Sequence, residues 1–156
     1  MVRQYDGSER PFIEELAEAD IICNGILQNT DHPLIFVHEH QVTLLKPRSI
    51  IIDVSCDEGM GFSFARPTTF NEPTFSVGNN ITYYSVDHTP SYLWNAASRE
   101  ISRALIPYLP VIAGGEDSWK KQETLRRAIE IKDGVIKNPR ILSFQHRRPK
   151  YPHEII

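Results

Sequence analysis

The sequence predicts an α/β fold, half of a doubly wound parallel sheet followed by helices. Three observations predict it. Residues 21–27 (IICNGIL) and 49–55 (SIIIDVS) are apolar runs of strand length, and the second, with three consecutive isoleucines, is too apolar for a strand with one face in water. A third such run, ITYYSV at 81–86, follows a long connection. From Leu93 onward apolar residues recur every four positions, as in a helix that buries one stripe.

Taken in order, Pro11 opens a short amphipathic helix in which Phe12, Ile13, Leu16 and Ala17 share a face and Glu14, Glu15 and Glu18 look away, ending near Asp20. The strand at 21–27 gives way to the polar loop QNTDHP. Residues 34–45 (LIFVHEHQVTLL) predict a second helix, stopped by Lys46 and Pro47, and the strand at 49–55 follows. Residues 56–80 read as a loop far longer than the ~2–6 residues of an ordinary connection. The loop begins at the C-terminal edge of the central strand, where open α/β sheets bind their ligands. After the strand at 81–86, Thr89 and Pro90 read as an N-cap and first helical position for a helix of about five turns through Leu93, Ala97, Ile101, Leu105 and Leu109, limited by Pro107 and Pro110. Beyond GGED, residues 119–131 predict a further helix with Leu125, Ala128 and Ile129 on one face and an exposed Glu123–Arg127 pair. The remaining residues turn at Asp133 and Gly134 and are expected to dock on another surface.

Composition excludes several classes. A chain of 156 residues, 40% hydrophobic and 24% charged, is neither disordered, collagenous nor coiled coil. Seventeen basic residues against 20 acidic ones offer no electrostatic reason to expect nucleic acid or an anionic membrane. No apolar stretch approaches the ~20 residues of a membrane span, and the first residues lack a signal-peptide pattern, so a cytoplasmic location is expected. Cys23 and Cys56 sit in apolar runs without neighbouring ligands and are expected to be buried free thiols rather than a disulfide or a metal site.

Two places offer chemistry. Asp57 and Glu58 follow the central strand and precede Gly59 and Gly61, so a carboxylate there either faces a ligand cleft or merely turns the chain. Asp53, within the apolar strand, must find hydrogen-bond donors and reads as structural. Asp87, His88 and Thr89 lie where the third strand meets the long helix, and His88 is either a group that titrates near neutrality or a packing residue. His38 and His40, two apart, are expected on different sides of a helix and not as a metal pair, and RRPK at 147–150 reads as a solvated basic turn. The GxGxxG turn that admits a dinucleotide pyrophosphate is absent; GMGFSF has two glycines and follows a late strand.

The block IIIDVSCDEGMGFSFARPTTFNEPTF resembles the alanine dehydrogenase and pyridine nucleotide transhydrogenase family, and together with YYSVDHTPSYLWN and NPRILSFQ it looks most like the carboxyethylornithine synthase branch. The resemblance runs from about Leu16 to Pro152. It implies a Rossmann-type partial dinucleotide-binding domain over residues 1–90, a connecting helix over 91–111 and the C-terminal part of a substrate domain over 112–156. It implies a nicotinamide-dependent oxidoreductase, using NADH or NADPH, that joins pyruvate to the side-chain amine of ornithine. An alanine dehydrogenase-like enzyme and a non-catalytic interaction module are the alternatives. On the same ground Asp57 matches the active-site aspartate beside the nicotinamide, His88 and Thr89 the pair bordering that ring, and Ile26, Leu27 and Gln28 the segment along the cofactor ribose. The family's front part, with its glycine-rich half and its catalytic Lys and His, has no counterpart here. The resemblance therefore implies small-molecule partners, a 2-oxo acid and an amino acid, and either a homo-oligomer or a complementing N-terminal chain.

Overall fold

Burial with a period of two organises the sheet. A computed structural model describes residues 1–3 and 6–156, which divide into two units, 1–89 and 90–156. In the first, β1 (Val2–Arg3) and β2 (Glu9–Arg10) form an antiparallel pair, and α1 (Phe12–Ala17) follows. Next come β3 (Ile21–Asn24), β4 (Ile35–Val37), β5 (Ile50–Asp53), β6 (Gly61–Phe62), β7 (Thr74–Val77) and β8 (Ile81–Tyr84). The main sheet has the order β3-β5-β8-β7: the first three strands are parallel, and β7 returns antiparallel along β8. The parallel trio lies within the expected strands, each two or three residues shorter at its C-terminal end.

Alternate side chains of these strands, Ile22, Ile51, Ile81 and Tyr83, form one apolar cluster with Val37, Val42, Leu45, Phe62 and Ala65, against which Ile13 and Leu16 of α1 pack. The opposite face is not equally covered: Ile21 is 63% exposed where Ile22 is 6%. Within residues 1–89 the apolar cluster packs against one face of the sheet. The same alternation puts Cys23 on the open face, so of the two free thiols only Cys56 is buried.

Two connections differ from the sequence reading. Residues 34–45 are not a helix: β4 pairs with β6, with Gly61 N–H donating to Leu34 O (2.9 Å) and Ser63 N–H to Val37 O (3.0 Å), and only Glu39–Leu44 coil, as a 3-10 helix. A short continuous apolar run such as LIFV suits a buried strand as well as a helix. At the start of the coil the rings of His38 and His40 stack at 5.6 Å instead of parting. The expected long loop contains β6 and β7, so its chain is largely spent on sheet.

In the second unit a 3-10 turn (Thr89–Leu93) leads into α2 (Trp94–Leu105), a 3-10 turn (Ile106–Tyr108) and α3 (Leu109–Ala113). The expected five-turn helix is thus broken at its end, where Pro107 has no N–H to continue the ladder. Its stripe stays exposed at Ile101, Leu105 and Leu109. α4 (Glu116–Trp119) and α5 (Glu123–Arg127) replace the single helix expected over 119–131. Gln122 caps α5 by accepting the Leu125 N–H (2.9 Å), and Ala128 and Ile129 fall outside it. The Glu123–Arg127 pair forms, at 2.7 Å. β9 (Ile131–Lys132) and β10 (Val135–Ile136) make a hairpin whose turn residues Asp133 and Gly134 both have positive φ (52° and 76°), the conformation that a two-residue hairpin requires. α6 (Pro139–Phe144) follows.

Candidate functional site

At the C-terminal edge of the parallel strands the chain after β3 and the chain after β5 are tied together. Val54 N–H donates to Asn24 O (2.7 Å) and Ser55 Oγ to Ile26 O (2.8 Å). Beneath them the Asp53 carboxylate, 1% exposed, accepts from Asn24 Nδ2 (2.9 Å), from Cys56 N–H (3.1 Å) and from the Tyr83 hydroxyl. Three donors from β3, β8 and its own turn satisfy a charge that burial would otherwise penalise. The structural reading of Asp53 agrees with this placement. Cys56 takes a left-handed conformation (φ 43°), and its thiol reaches Asp87 Oδ1 at 3.5 Å. Burial first, and the Asp87 carboxylate after it, push that thiol up to about 11. At neutral pH it is a protonated, inert group and not a nucleophile.

The two tied loops enclose a cleft of about 270 Å³ lined by Gly25, Ile26, Leu27, Val54, Ser55 and Asp57. Of the residues singled out in the sequence, the structure brings Ile26, Leu27 and Asp57 together here. Glu58 is exposed but does not line the cleft. Gln28 turns away, its side-chain amide holding both Leu34 N–H (2.6 Å) and Leu34 O (3.1 Å) across the loop. The His88 ring stands edge-on to Phe70 at 4.8 Å. Thr89 does not cap the following helix: its hydroxyl donates back to Val86 O (2.9 Å) and meets the Tyr84 hydroxyl (2.8 Å). Gly25 is part of the lining, and a Cβ there would meet nothing within 4 Å.

Sequence reasoning missed Gly25, Val54 and Ser55 as lining, and Asn24 and Tyr83 as the supports of Asp53. One signal was available for Asn24, a polar residue closing an apolar strand as Asp53 closes the next.

Residues 1–139, which include the whole cleft, match the family described as alanine dehydrogenase/PNT, C-terminal domain. The chain belongs to this family. Among its relatives are the alanine dehydrogenase of Mycolicibacterium smegmatis, 26% identical over 125 residues (79% of this chain, 33% of the relative), and that of Halomonas elongata, 27% identical over 108 residues (69% and 28%). Alanine dehydrogenase 1 of Staphylococcus aureus is 26% identical over 132 residues (83% and 35%). A solved structure of an L-alanine dehydrogenase superposes with a TM-score of 0.68 at 23% identity, over 84% of this chain and 37% of that one, and so shares the fold. The chain spans about a third of the length of the relatives that it matches. Among the described residues no helix is long and apolar enough to cross a membrane.

Proposed function

We propose that the chain supplies one wall of the active site of a nicotinamide-dependent oxidoreductase acting on the carbon–nitrogen bond of an amino acid, with Asp57 as the carboxylate that faces a cationic amine or imine. The single observation that carries this reading is the convergence of Asp57 with Ile26 and Leu27 in one cleft at the C-terminal edge of parallel strands. The lining has an apolar side (Ile26, Leu27, Val54), one anion and no cation. A flat, uncharged ring fits against the former, and a positively charged nitrogen is favoured by the latter. The bound cofactor would supply the hydride; the chain's own residues orient its ring, exclude water on the apolar side and hold charge at the Asp57 carboxylate.

The cleft suits one end of a dinucleotide. Its volume lies below the ~300–1,000 Å³ of pockets that enclose a drug-sized ligand, and no glycine-rich turn in the sequence would seat a pyrophosphate. The unpaired edge of the sheet at β3 supports a partner that adds to it there. Asp20 O accepts Ile50 N–H (3.0 Å) and Asn24 O accepts Val54 N–H (2.7 Å), so even-numbered main-chain groups face β5 and those of Ile21 and Cys23 face outward. A groove of about 340 Å³ lined by Phe12, Leu16, Ile21, Ile26 and Phe36, among others, runs beside that edge. We take the partner to be a chain or segment that continues the sheet there. The named relatives favour alanine as the amino acid; the SYLWN segment that resembles the carboxyethylornithine branch favours pyruvate and ornithine.

Titrating reduced nicotinamide mononucleotide, AMP and NADH into the chain while following amide NMR signals tests the reading. Weak binding is expected, with a Kd on the order of 1 mM. Signals of Gly25, Ile26, Leu27 and Asp57 should move with NADH and the mononucleotide but not with AMP. Shifts elsewhere, or tight micromolar binding that includes AMP, would overturn it.

A further inference from the structure

Residues 90–156 bury two side chains, Leu142 and His153. The second is 3% exposed, and main-chain groups occupy both of its ring nitrogens. Ile136 N–H on β10 donates to Nε2 at 3.1 Å, and Nδ1 lies 3.1 Å from the carbonyl of Arg148. A backbone amide can only donate, so Nε2 accepts, and the ring is neutral with its proton on Nδ1, which donates to Arg148 O.

The segment carrying this ring closes on itself. Arg148 N–H bonds Glu154 O (2.8 Å), Ile156 N–H bonds His146 O (2.7 Å), and Arg147 and Ile155 form an antiparallel bridge. Arg147 Nη1 donates to His153 O (3.0 Å), and the Tyr151 ring stands edge-on to the imidazole at 5.9 Å. A closed loop thus offers one imidazole to one strand of the β9–β10 hairpin.

We infer that His153 is a proton-released latch: as a neutral imidazole it holds residues 146–156 on the β9–β10 hairpin, and protonation releases them. A second ring proton would sit on Nε2 and point at the Ile136 N–H, so the hydrogen bond becomes a contact between two donors. Among the described residues no carboxylate is bonded to the ring to balance an imidazolium there. The charged and titratable groups on the surrounding elements are Arg147, whose guanidinium is on the His153 carbonyl, His146, Arg148, Lys150, Tyr151 and Glu154 on the loop itself, Arg140 on α6, and Glu130, Lys132, Asp133 and Lys137 on or flanking the hairpin, the Glu130 carboxylate accepting from Asn138 Nδ2 (2.6 Å). Of these, Lys132 is paired with Glu116, and Glu154 offers its main-chain carbonyl to Arg148. None is an acid bonded to the His153 ring.

Two measurements on the full chain test the latch. Long-range ¹⁵N NMR of the imidazoles at about pH 7.5 should show His153 as the Nδ1–H tautomer. Between about pH 7.5 and 5.5, the span in which histidine usually changes charge, amide exchange at Ile136, corrected for the intrinsic pH dependence, should quicken about tenfold or more. The amide of Ile51, in the core of the sheet, should not respond. His153→Gln, which keeps an acceptor and a donor without titrating, should abolish the response, and His146→Asn should leave it intact. An Nε2–H tautomer, a corrected Ile136 rate that stays constant, or a response that persists in His153→Gln would overturn the proposal. If the Gln variant loosens the loop at every pH, the tautomer and the wild-type exchange profile decide it alone.

Discussion

Asn24 and Asp53 end neighbouring parallel strands at the same register, and the Asn24 amide donates to Asp53 Oδ1 at 2.9 Å. The bond joins the ends of β3 and β5 just below the point where both strands open into the cleft. Tyr83 of β8 and the Cys56 amide complete the ring of donors. No ion pair engages Asp53 among the described residues, so hydrogen bonds hold its carboxylate in place. The C-terminal edge of the parallel strands is in this way one cross-linked piece, and the cleft inherits its shape from it.

Removing that carboxylate orphans three donors at once. Asp53→Ala is expected to lower stability by about 3 kcal/mol or more, since each unsatisfied buried donor costs roughly 1–3 kcal/mol. Tyr83→Phe removes one donor while leaving two and should cost about 1–2 kcal/mol. Urea midpoints at unchanged slope measure both. Equal losses for the two variants would show that Tyr83 alone carries the junction.

Gly61 faces the same junction from β6. Its φ of +75° already disfavours any side chain, and a Cβ there would lie 2.9 Å from Asn24 Nδ2. Gly59 has a similar φ, +66°, but open space around it. Gly59→Ala should therefore cost only the backbone strain of about 1–2 kcal/mol. Gly61→Ala should add roughly 1–3 kcal/mol for displacing the Asn24 amide. Thermal unfolding of the pair separates strain from contact, and Asn24→Ala in the Gly61→Ala background should recover part of the loss.

The thiols divide by environment. Cys23, exposed on the open sheet face, is expected to react readily with iodoacetamide at about pH 8, whereas Cys56, pushed up to about 11 from an ordinary 9.0, should react only on unfolding. The same shift sets a pH dependence. In the unfolded chain Cys56 loses its proton near 9.0 while the folded chain keeps it until about 11, so the unfolded state binds fewer protons between those values. Its contribution to stability is complete below pH 9 and is lost as pH rises toward 11. Cys56→Ala should flatten that part of the denaturation profile.

The sheet was legible because its signal is local. Three short β-branched or aromatic runs read as strands, but which face packs could not be read from Ile50, Ile51 and Ile52, which are apolar on both faces and differ in burial only once folded. Residues 34–37 were not legible, because LIFV satisfies a strand and a helix turn alike and the choice is made by Gly61 and Ser63, more than twenty residues away. β7 was hidden for a related reason: Thr74–Val77 is only half apolar, and its partner Tyr83 lies beyond a turn. In the cleft, Asp57 could be placed from the strand that precedes it. Ser55 could not, since its part depends on reaching Ile26 O from another strand. Thr89 shows the opposite failure: a Thr-Pro pair has the composition of a helix cap, but Val86 O and the Tyr84 hydroxyl compete successfully for its side chain.

The last prediction concerns which carboxylate acts. Asp57 and Glu58 are adjacent and both exposed, yet only Asp57 lines the cleft with Ile26 and Leu27. Asp53 is spent on its three donors and has no access to a ligand. An amine or imine nitrogen carrying positive charge against the apolar wall gains most from the one anion in that lining, and a preoriented charge is usually a large catalytic contribution. In an assembly completed by the proposed partner at β3, Asp57→Asn is expected to lower kcat/KM by about 100-fold or more, the scale of losing one oriented electrostatic group. Glu58→Gln should change it little. Because Asp57 is exposed and lies beyond the end of β5, the variant should unfold at the wild-type urea midpoint, which separates loss of chemistry from loss of fold. The loss should fall mainly on kcat if the carboxylate stabilises developing charge, and mainly on KM if it only binds the amine. Full activity in Asp57→Asn would remove the carboxylate from the chemistry and leave the cleft as a binding surface for the cofactor ring alone.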